Sequence, residues 1–468
     1  MQRRKSLALS IPYQLDFFKQ YKFLSKDKPQ HILLESGRGG RYNIVGLNPV
    51  AVIRGKGETL HISESGKETI KQGNPLDLMQ EYMERWKTDY NPEYPPFQGG
   101  AIGYFSYDCI RYIEKLPSHA EDDINIPDIF FLLFDDVFVY DQKEKVLWII
   151  THYVDKHEEA KERLNEWKIL WATEATEATE VNIPFACPEE KSETVAFTEE
   201  SFMKAVECIQ EYIGAGDVFQ VNLSTRQERT LQTHPLEIYT SLREINPSPY
   251  MGYLELGDFQ IVSGSPELLI KKEGTEVSTR PIAGTRSRGA NEQEDEELAK
   301  ELIENEKERA EHVMLVDLER NDLGRVCKYG TVEVDEFMVI EKYSHVMHIV
   351  SNVRGEVEED KDAFDLVKAV FPGGTITGAP KIRTMEIIEE LEPVRRGIYT
   401  GSIGWIGYSG DTELNIVIRT LLAKDGKAHV QAGAGIVIDS NPENEYKESL
   451  KKAIALWRAK ERSEETVR

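Results

Sequence analysis

The sequence is short of cysteine and of basic charge. Its 468 residues contain four cysteines, with no CxxC pair and no histidine cluster beside them. This pattern does not favour a zinc site, and scattered cysteines suit a reducing compartment. The 57 lysines and arginines are outnumbered by 82 acidic residues, which gives a net charge of −25. That charge argues against nucleic acid or an anionic membrane as a partner, although a small anion can still bind in a locally basic pocket.

The chain also lacks long hydrophobic runs. Its apolar stretches, such as 129–134, are too short to cross a membrane and suit buried strands. The first residues, MQRRKSLALSIPYQ, contain only a short apolar stretch cut by Pro12, which makes a poor signal peptide. We therefore expect a cytoplasmic protein that binds neither nucleic acid nor membranes.

One segment is typical of a linker. Residues 173–180, TEATEATE, are acidic and repetitive and have no large apolar side chain. We therefore predict an N-terminal α+β region over 1–185 and a second region over 195–465.

Local patterns predict the elements of these regions. Residues 129–141 and 145–154 predict two strands of a hairpin, and 291–321 predicts one long helix capped by Asn291. Many strands in succession, with helices between them, predict an α+β fold with layered antiparallel β-sheets and helices outside.

Two pairs of glutamates share a spacing that carries chemistry. Glu308 and Glu311 are three residues apart in a helical pattern, so both carboxylates project from one face. Glu445 and Glu448 repeat this spacing near the C-terminus. Two such faces that meet would form an oxygen-rich site suited to Mg²⁺. The alternative is that both pairs are solvated surface in an acidic chain.

Two glycine-rich segments are candidates for binding an anion or a ligand. The loop GGTITGAP (373–380) leads into a helix that begins near Lys381, and amide groups at a helix N-terminus together with a lysine can bind an anion. A plain helix cap is the alternative. The small residues of GAGI (433–436) allow either a ligand or a neighbouring chain to approach the backbone closely.

Three single side chains complete the candidate set. Arg419 lies among apolar residues with strand alternation, on an outer face or as an inward clamp for a carboxylate. Lys452 follows Glu448 by four residues, a spacing that also produces simple ion pairs. His348 is either an acid or base or a core histidine. Together these features predict a small anionic substrate held by basic residues, backbone amides and Mg²⁺.

A series of motifs resembles the chorismate-utilising enzymes. The segments occur in the order seen in that family, and they are GDVFQVNLS, GSPE, RPIAGTRSRG, ERAEHVMLVDLERNDLGRV, HVMHIVSNVRG, FPGGTITGAPKIRTME, GSIGWIG, IVIRT, AGAGIVIDS and PENEYKESLKKA. They cover roughly 198–455. The N-terminal LLESGRGGRYNIVG is similar to the corresponding region of anthranilate synthase component I and its relatives. The resemblance implies an anthranilate synthase component I-like fold.

The resemblance also implies roles for individual residues in a Mg²⁺-dependent replacement on chorismate. The metal would bind the ring carboxylate and help the 4-hydroxyl to leave. Glu311 and Glu448 match the metal ligands, Glu445 supports them, and Glu308 is a supporting carboxylate and candidate general acid. The other matched positions line the ring or hold its carboxylates, and they are His348, Thr375, Gly284, Thr285, Tyr399, Arg419, Gly433, Gly435 and Lys452.

Gln220 indicates the incoming group. Family members that add water carry a lysine at this position to activate it, and a neutral glutamine cannot do that well, whereas ammonia is already a nucleophile. The resemblance therefore implies that ammonia is added. It would come from glutamine through a separate glutamine amidotransferase subunit, because the cysteines of this chain lack the motif of an amidotransferase nucleophile.

Two ammonia-using reactions fit the resemblance. FPGGTITGAPK and YTGSIGW favour replacement of the 4-hydroxyl to give 4-amino-4-deoxychorismate, on the way to 4-aminobenzoate and folate. PIAGT resembles the enzymes that add ammonia at C2 and expel pyruvate, giving anthranilate for tryptophan synthesis. Some enzymes of the first kind carry a lysine at the position of Ala283, and this lysine is proposed as a covalent nucleophile. With alanine here, ammonia attacks directly or another group serves as the nucleophile. We favour the first reaction, and the second is the alternative.

The resemblance extends to a tryptophan site. Glu35, Ser36, Pro249, Tyr250 and Met251 resemble the tryptophan pocket of these proteins, which is inhibitory in anthranilate synthase; ordinary packing is the alternative. A non-catalytic scaffold on the same fold is a further alternative, against which the retained glutamates and basic residues speak.

Overall fold

The structure is a computed structural model that describes residues 4–37, 40–175, 185, 192–342 and 346–466. Most of the predicted linker, from 176 to 180, lies outside the described residues. Two large β-sheets form the centre of the described part, and every pairing of strands within them is antiparallel.

The first sheet contains twelve strands. In spatial order they are β1 (Lys5–Pro12), β10 (Val146–Tyr153), β9 (Asp136–Asp141), β3 (Tyr42–Gly46), β2 (His31–Glu35), β13 (Tyr250–Glu255), β14 (Phe259–Ser265), β23 (Thr420–Lys424), β24 (Lys427–Ile436), β12 (Gln220–Thr230) and β11 (Glu193–Val195), with β20 (Gly378–Ala379) paired to β12.

The second sheet also contains twelve strands. In spatial order they are β17 (Ile282–Ser287), β19 (Val346–Glu356), β16 (Glu276–Thr279), β15 (Leu268–Glu273), β22 (Thr412–Asn415), β21 (Ser402–Gly407), β7 (Gly100–Phe105), β8 (Ile129–Phe134), β4 (Ala51–Lys56), β5 (Thr59–Glu64) and β6 (Lys67–Gln72), with β18 (Glu333–Lys342) paired to β19.

Helices cover the sheets. They are α1 (Phe17–Ser25), α2 (Pro75–Met83), α3 (His157–Ala172), α4 (Glu199–Ala215), α5 (Pro235–Ile245), α6 (Glu292–Glu304), α7 (Glu306–Gly324), α8 (Ala363–Val370), α9 (Lys381–Leu391) and α10 (Pro442–Thr466). None of the helices in the described ranges is long and apolar enough to cross a membrane.

The sheets pack against each other through a shared apolar core. It includes Ile32 and Phe259 from the first sheet and Tyr104, Phe130 and Trp405 from the second. The outer face of the first sheet packs on α1, α3, α5 and α10, and that of the second on α2, α7 and α8. β8 is apolar throughout because both of its faces are buried. The predicted α+β fold of layered antiparallel sheets with helices outside is confirmed.

Both sheets combine strands from the two regions predicted by the linker. In the first sheet β2 pairs with β13, and in the second β7 pairs with β21. The regions 1–185 and 195–465 therefore share continuous sheets, and their division into two units stays a prediction.

The structure corrects two local predictions. The strand predicted over 129–141 is two strands, because β8 of the second sheet ends at Phe134 and the chain enters the first sheet as β9 after Asp135. The Asp135 carboxylate pairs with Arg4, and its carbonyl oxygen accepts from the His152 amide at 2.9 Å. The helix predicted over 291–321 is two helices, because the Asn305 side chain caps the Glu308 amide at 3.0 Å and begins α7. The predicted cap at Asn291 is present.

Candidate active site

Gly284, Thr285 and His348 meet where β17 pairs with β19. His348 Nδ1 lies 3.0 Å from the Thr285 hydroxyl oxygen and 3.0 Å from the Gly284 carbonyl oxygen. Because a carbonyl oxygen only accepts, Nδ1 carries the proton. Burial lowers the pKa of His348, and Arg419 acts in the same direction. The imidazole is therefore neutral at neutral pH.

Glu308 reaches this corner from the first turn of α7. Its Oε1 accepts from Arg286 Nη1 at 3.2 Å. Gly284 has a φ of +60°, and a Cβ there would lie 3.0 Å from Glu308 Oε2. Both the backbone conformation and the approach of the carboxylate therefore require glycine.

Gln220, the first residue of β12, contacts the second glutamate of the α7 pair. Its Nε2 donates to Glu311 Oε1 at 3.1 Å. A Cβ on Gly435 would lie only 2.2 Å from the same Nε2, so the glycine leaves room for the amide. The contact places the end of β12 and the neighbouring β24 beside α7.

Lys452 connects α10 to the same strand. Its Nζ donates to the Gly433 carbonyl oxygen at 2.9 Å and lies 2.9 Å from Glu448 Oε1. Burial raises the pKa of Glu445, with repulsion from Glu448 adding to it, whereas Lys307 of α7 lowers it. Because the charge of Lys307 affects the pKa of Glu445, the ends of α7 and α10 that carry the glutamate pairs lie near each other.

The four glutamates do not form a ligating cluster. In the described ranges no three His, Cys, Asp or Glu side chains lie close enough to hold one metal ion. Glu308, Glu311 and Glu448 are instead engaged by Arg286, Gln220 and Lys452. The donors are carboxylate oxygens, the kind that Mg²⁺ prefers, so the donor set fits the ion in chemistry.

Arg419 lies in a bend, which corrects the predicted strand. β22 ends at Asn415, and Arg419 has a φ of +49° before β23 begins. Such a backbone conformation is strained for a non-glycine residue and concentrates at functional positions. Burial lowers the pKa of Arg419, and the charge of Glu267 opposes this fall.

Glu267 is a site residue that the sequence did not single out. It is 6% exposed, and its Oε1 is buried with no hydrogen-bond partner in the part of the chain that the structure describes. Burial raises its pKa to about 7, against the opposing effects of the Thr375 hydroxyl and Arg419. It is therefore a carboxyl that holds a proton near neutral pH. The sequence feature that could have identified Glu267 is its position as the glutamate of the GSPE motif.

The buried ion pair between Arg396 and Glu392 lies beside both Thr375 and Tyr399. Arg396 donates to Glu392 at 2.8 and 3.0 Å and to the Ile376 carbonyl oxygen at 3.0 Å. The Tyr399 ring centroid lies 5.4 Å from the Arg396 guanidinium carbon. Arg396 thereby fixes both the short helix at 374–376, which carries Thr375, and the ring of Tyr399.

Lys381 does not offer a free charge to an anion. Its Nζ lies 2.5 Å from Asp322 Oδ2 and 2.9 Å from the Val370 carbonyl oxygen. Its charge is therefore engaged inside the protein. Of the two alternatives for GGTITGAP, this contact favours a plain helix cap over an anion site that uses the charge of Lys381.

The residues of the predicted tryptophan site also meet. Met251 lies opposite Glu35 in the pairing of β13 with β2, and the Gly37 amide donates to the Ser248 carbonyl oxygen at 3.0 Å. This contact brings Ser36 beside the turn of Pro249 and Tyr250. Glu35 is already engaged, with Arg243 Nε at 2.5 Å and the Tyr239 hydroxyl at 2.7 Å.

Comparisons with known proteins identify the family of this chain. The chain is 56% identical over 471 residues to aminodeoxychorismate synthase component 1 of Bacillus subtilis (strain 168), with 100% of each chain covered. It is 46% identical over 449 residues to anthranilate synthase component 1 of Acetivibrio thermocellus, covering 92% of this chain and 90% of that one.

A solved structure and a family model match most of the chain. Anthranilate synthase component I from Streptococcus pneumoniae TIGR4 superposes with a TM-score of 0.79 at 35% identity, covering 89% of this chain and 92% of that one. The family model described as chorismate binding enzyme matches residues 29–458. The family predicted from the motifs is confirmed, and the chain belongs to the chorismate binding enzymes.

Proposed function

We propose that this enzyme aminates chorismate to 4-amino-4-deoxychorismate and keeps the enolpyruvyl group, in the route to 4-aminobenzoate and folate. The observation that carries the proposal is the full-length similarity to an aminodeoxychorismate synthase component 1 at 56% identity, against 46% to an anthranilate synthase. We place the enzyme in the cytoplasm.

The proton for the departing hydroxyl comes from Glu267 in this proposal. In net terms the C4–O bond breaks, a C4–N bond forms, and the leaving oxygen takes the proton of Glu267 and departs as water. The extra proton of the new amine restores the carboxyl. Glu267 suits this role because burial keeps its proton in place near neutral pH, with a pKa of about 7. Glu308, the acid predicted from the motifs, is paired with Arg286.

Basic and small residues hold the substrate in this proposal. Arg419 and Lys452 bind the carboxylates of chorismate, and Gly433 and Gly435 let them approach the backbone. His348, Thr375, Gly284, Thr285 and Tyr399 line the ring. The neutral Gln220 does not activate water, which favours ammonia as the nucleophile.

Mg²⁺ is the cofactor in this proposal. Glu311 and Glu448 would hold it, with Glu445 and Glu308 alongside, once Gln220 and Lys452 release the carboxylates they engage. The ion supplies a Lewis acid and a template for the ring carboxylate when it is bound. In the described structure Arg286, Gln220 and Lys452 contact Glu308, Glu311 and Glu448, respectively.

Two binding partners belong to the proposal. A glutamine amidotransferase subunit supplies ammonia, in keeping with the numbering of the relatives as component 1. Tryptophan binds between Ser36 and the turn at Pro249, Tyr250 and Met251, where Glu35 is held in place by Arg243.

Formation of anthranilate is the second candidate. Ala283 of the PIAGT segment favours it, because that position holds no lysine to act as a nucleophile. The test is to incubate the enzyme with chorismate, Mg²⁺ and ammonium, add an aminodeoxychorismate lyase, and separate the products. 4-Aminobenzoate supports the proposal, whereas fluorescent anthranilate that forms without the lyase supports the second candidate.

A further inference from the structure

A groove lies over β4, β5 and β6 at one end of the second sheet. Its volume is about 330 Å³, and the side chains that line it include Arg54, Lys56, His61, Ser63 and Glu68. That volume is within the range of about 300–1,000 Å³ that is typical of ligand sites. The candidate active site is built instead from β12, β17, β19, β24, α7 and α10, so the groove is a separate place on the protein.

Strand pairing brings basic side chains together in this groove. Arg54 of β4 lies directly opposite His61 of β5. Because side chains alternate along a strand, Lys56 projects from the same face as Arg54, whereas Ile53 projects from the other face into the core. Directly opposite residues share a face, so His61 lies on this face as well. The groove therefore has a guanidinium, an ammonium and an imidazole on one face.

The loop before β8 is fixed beside the groove. Lys56 Nζ donates to the Ile126 carbonyl oxygen at 2.7 Å and lies 2.7 Å from Asp122 Oδ2. The Asp128 amide donates to the Gly55 carbonyl oxygen at 2.8 Å. These contacts hold the loop on β4, and the charge of Lys56 is balanced by Asp122.

Arg54 carries a charge that no carboxylate balances among the described residues. Its guanidinium forms no ion pair and no hydrogen bond with them, and its Nε is buried. The Phe130 ring centroid lies 5.1 Å from the guanidinium carbon, a contact that favours a cation but accepts no conventional hydrogen bond. Burying a donor without an acceptor is unfavourable, so an acceptor from outside the chain would stabilise Arg54.

We propose that this groove binds a small molecule that carries a carboxylate or phosphate group, with Arg54 as its principal contact. The planar fork of a guanidinium donates two parallel hydrogen bonds to either group. His61 adds a donor from the facing strand. Glu68 of β6 accepts from the Ser63 hydroxyl, and its charge keeps the anionic group on the Arg54 side of the groove. The chain has a net charge of −25, so an anion is attracted to this local basic site rather than to the acidic surface around it.

The test is calorimetric titration of two probe anions, inorganic phosphate and succinate, into the full chain in a buffer that contains neither. For the anion that binds the wild type, we expect Arg54→Gln to raise Kd at least tenfold. Arg462→Gln is the matched control and should stay within twofold, because Arg462 pairs with Glu244 at the other end of the chain. His61→Asn alters an exposed side chain and should raise Kd roughly threefold through loss of one hydrogen bond.

The two probes distinguish the chemical classes of ligand. Saturable binding of phosphate alone identifies a phosphorylated ligand, and binding of succinate alone identifies a carboxylate; either result, lost in Arg54→Gln, supports the proposal. Unchanged binding in a folded Arg54→Gln, or in His61→Asn if Arg54→Gln does not fold, would overturn it. An equal loss in Arg462→Gln would also overturn it, as would the absence of saturable binding of both anions to the wild type.

Discussion

Two buried glutamates differ in how the protein engages their carboxylates. Glu35 at the end of β2 and Glu267 before β15 are both 6% exposed. Glu35 accepts hydrogen bonds from both nitrogens of the Arg243 fork and from Tyr239. Glu267 has one oxygen without a hydrogen-bond partner among the described residues, and burial raises its pKa to about 7. Equal burial therefore accompanies an ion pair at Glu35 and a carboxyl with a raised pKa at Glu267.

The comparison is tested most strongly by Glu267→Gln. The amide keeps the shape of the side chain but has no acidic proton, so we expect turnover to fall by roughly 10³-fold, within the range of general acid catalysis. Turnover with chorismate and ammonium measures the effect. Glu255→Gln is the matched control, because Glu255 is buried, with a raised pKa, and lies in β13 away from the site. A similar loss in both variants would contradict the role of Glu267.

Glu35→Gln should have the opposite profile. It removes the charge that Arg243 pairs with, and we expect the free energy of unfolding to fall by about 2 kcal/mol. Turnover of the folded variant should stay close to that of the wild type. Urea denaturation measures the stability, and Tyr239→Phe, which removes one hydrogen bond, should cost about 1 kcal/mol. A large loss of turnover without loss of stability would break the comparison.

The pH dependence should differ between the two regions. Activity that needs the proton of Glu267 should decline above its pKa of about 7, by roughly tenfold per pH unit. The measurement is kcat/KM for chorismate at a constant concentration of unprotonated ammonia. A profile that stays flat to pH 9 would exclude Glu267 as the acid.

The same group affects stability with a defined sign. The pKa of Glu267 is raised from 4.5 to about 7, so its contribution is most favourable below pH 4.5 and is lost as the pH rises through 7. Glu267→Gln removes this penalty. The variant should match the wild type near pH 4.5 and exceed it at pH 8 by at most about 3 kcal/mol, measured by denaturant unfolding. Equal stability at both pH values would show that the carboxyl does not titrate in this range.

Gly435→Ala should have the smallest effect. A Cβ would lie 2.2 Å from Gln220 Nε2, so the amide must move away from Glu311. We expect a loss of roughly tenfold in turnover, because small displacements at a reacting centre are costly. Gly214→Ala is the control, since a Cβ there meets nothing within 4 Å. An unchanged rate for Gly435→Ala would mean that the contact between Gln220 and Glu311 is dispensable.

The sequence predicted those features that depend on nearby residues. Helical spacing placed Glu308 with Glu311 and Glu445 with Glu448, and the structure has all four on helices α7 and α10. The cap at Asn291 was also predictable, because its side chain reaches an amide three residues away. The motifs predicted the family and its layered fold, which the comparisons confirm.

Features that depend on distant contacts could not be predicted in this way. The chain passes from the second sheet to the first at Asp135, whose carboxylate pairs with Arg4, 131 residues earlier. The bend at Arg419 interrupts an alternating pattern that is typical of a strand. The raised pKa of Glu267 depends on burial by elements from the whole chain, which no local pattern reveals. The motif match that made Glu308 a candidate acid could not show its ion pair with Arg286.

The position of nitrogen in the product tests the account most directly. The wild type is incubated with chorismate, Mg²⁺ and ¹⁵N-labelled ammonium, and the isolated product is analysed by NMR and mass spectrometry. The account predicts ¹⁵N bonded to C4 of a ring that keeps its enolpyruvyl group. Label on C2 of an aromatic ring, with pyruvate released, would contradict it and identify the reaction as anthranilate formation.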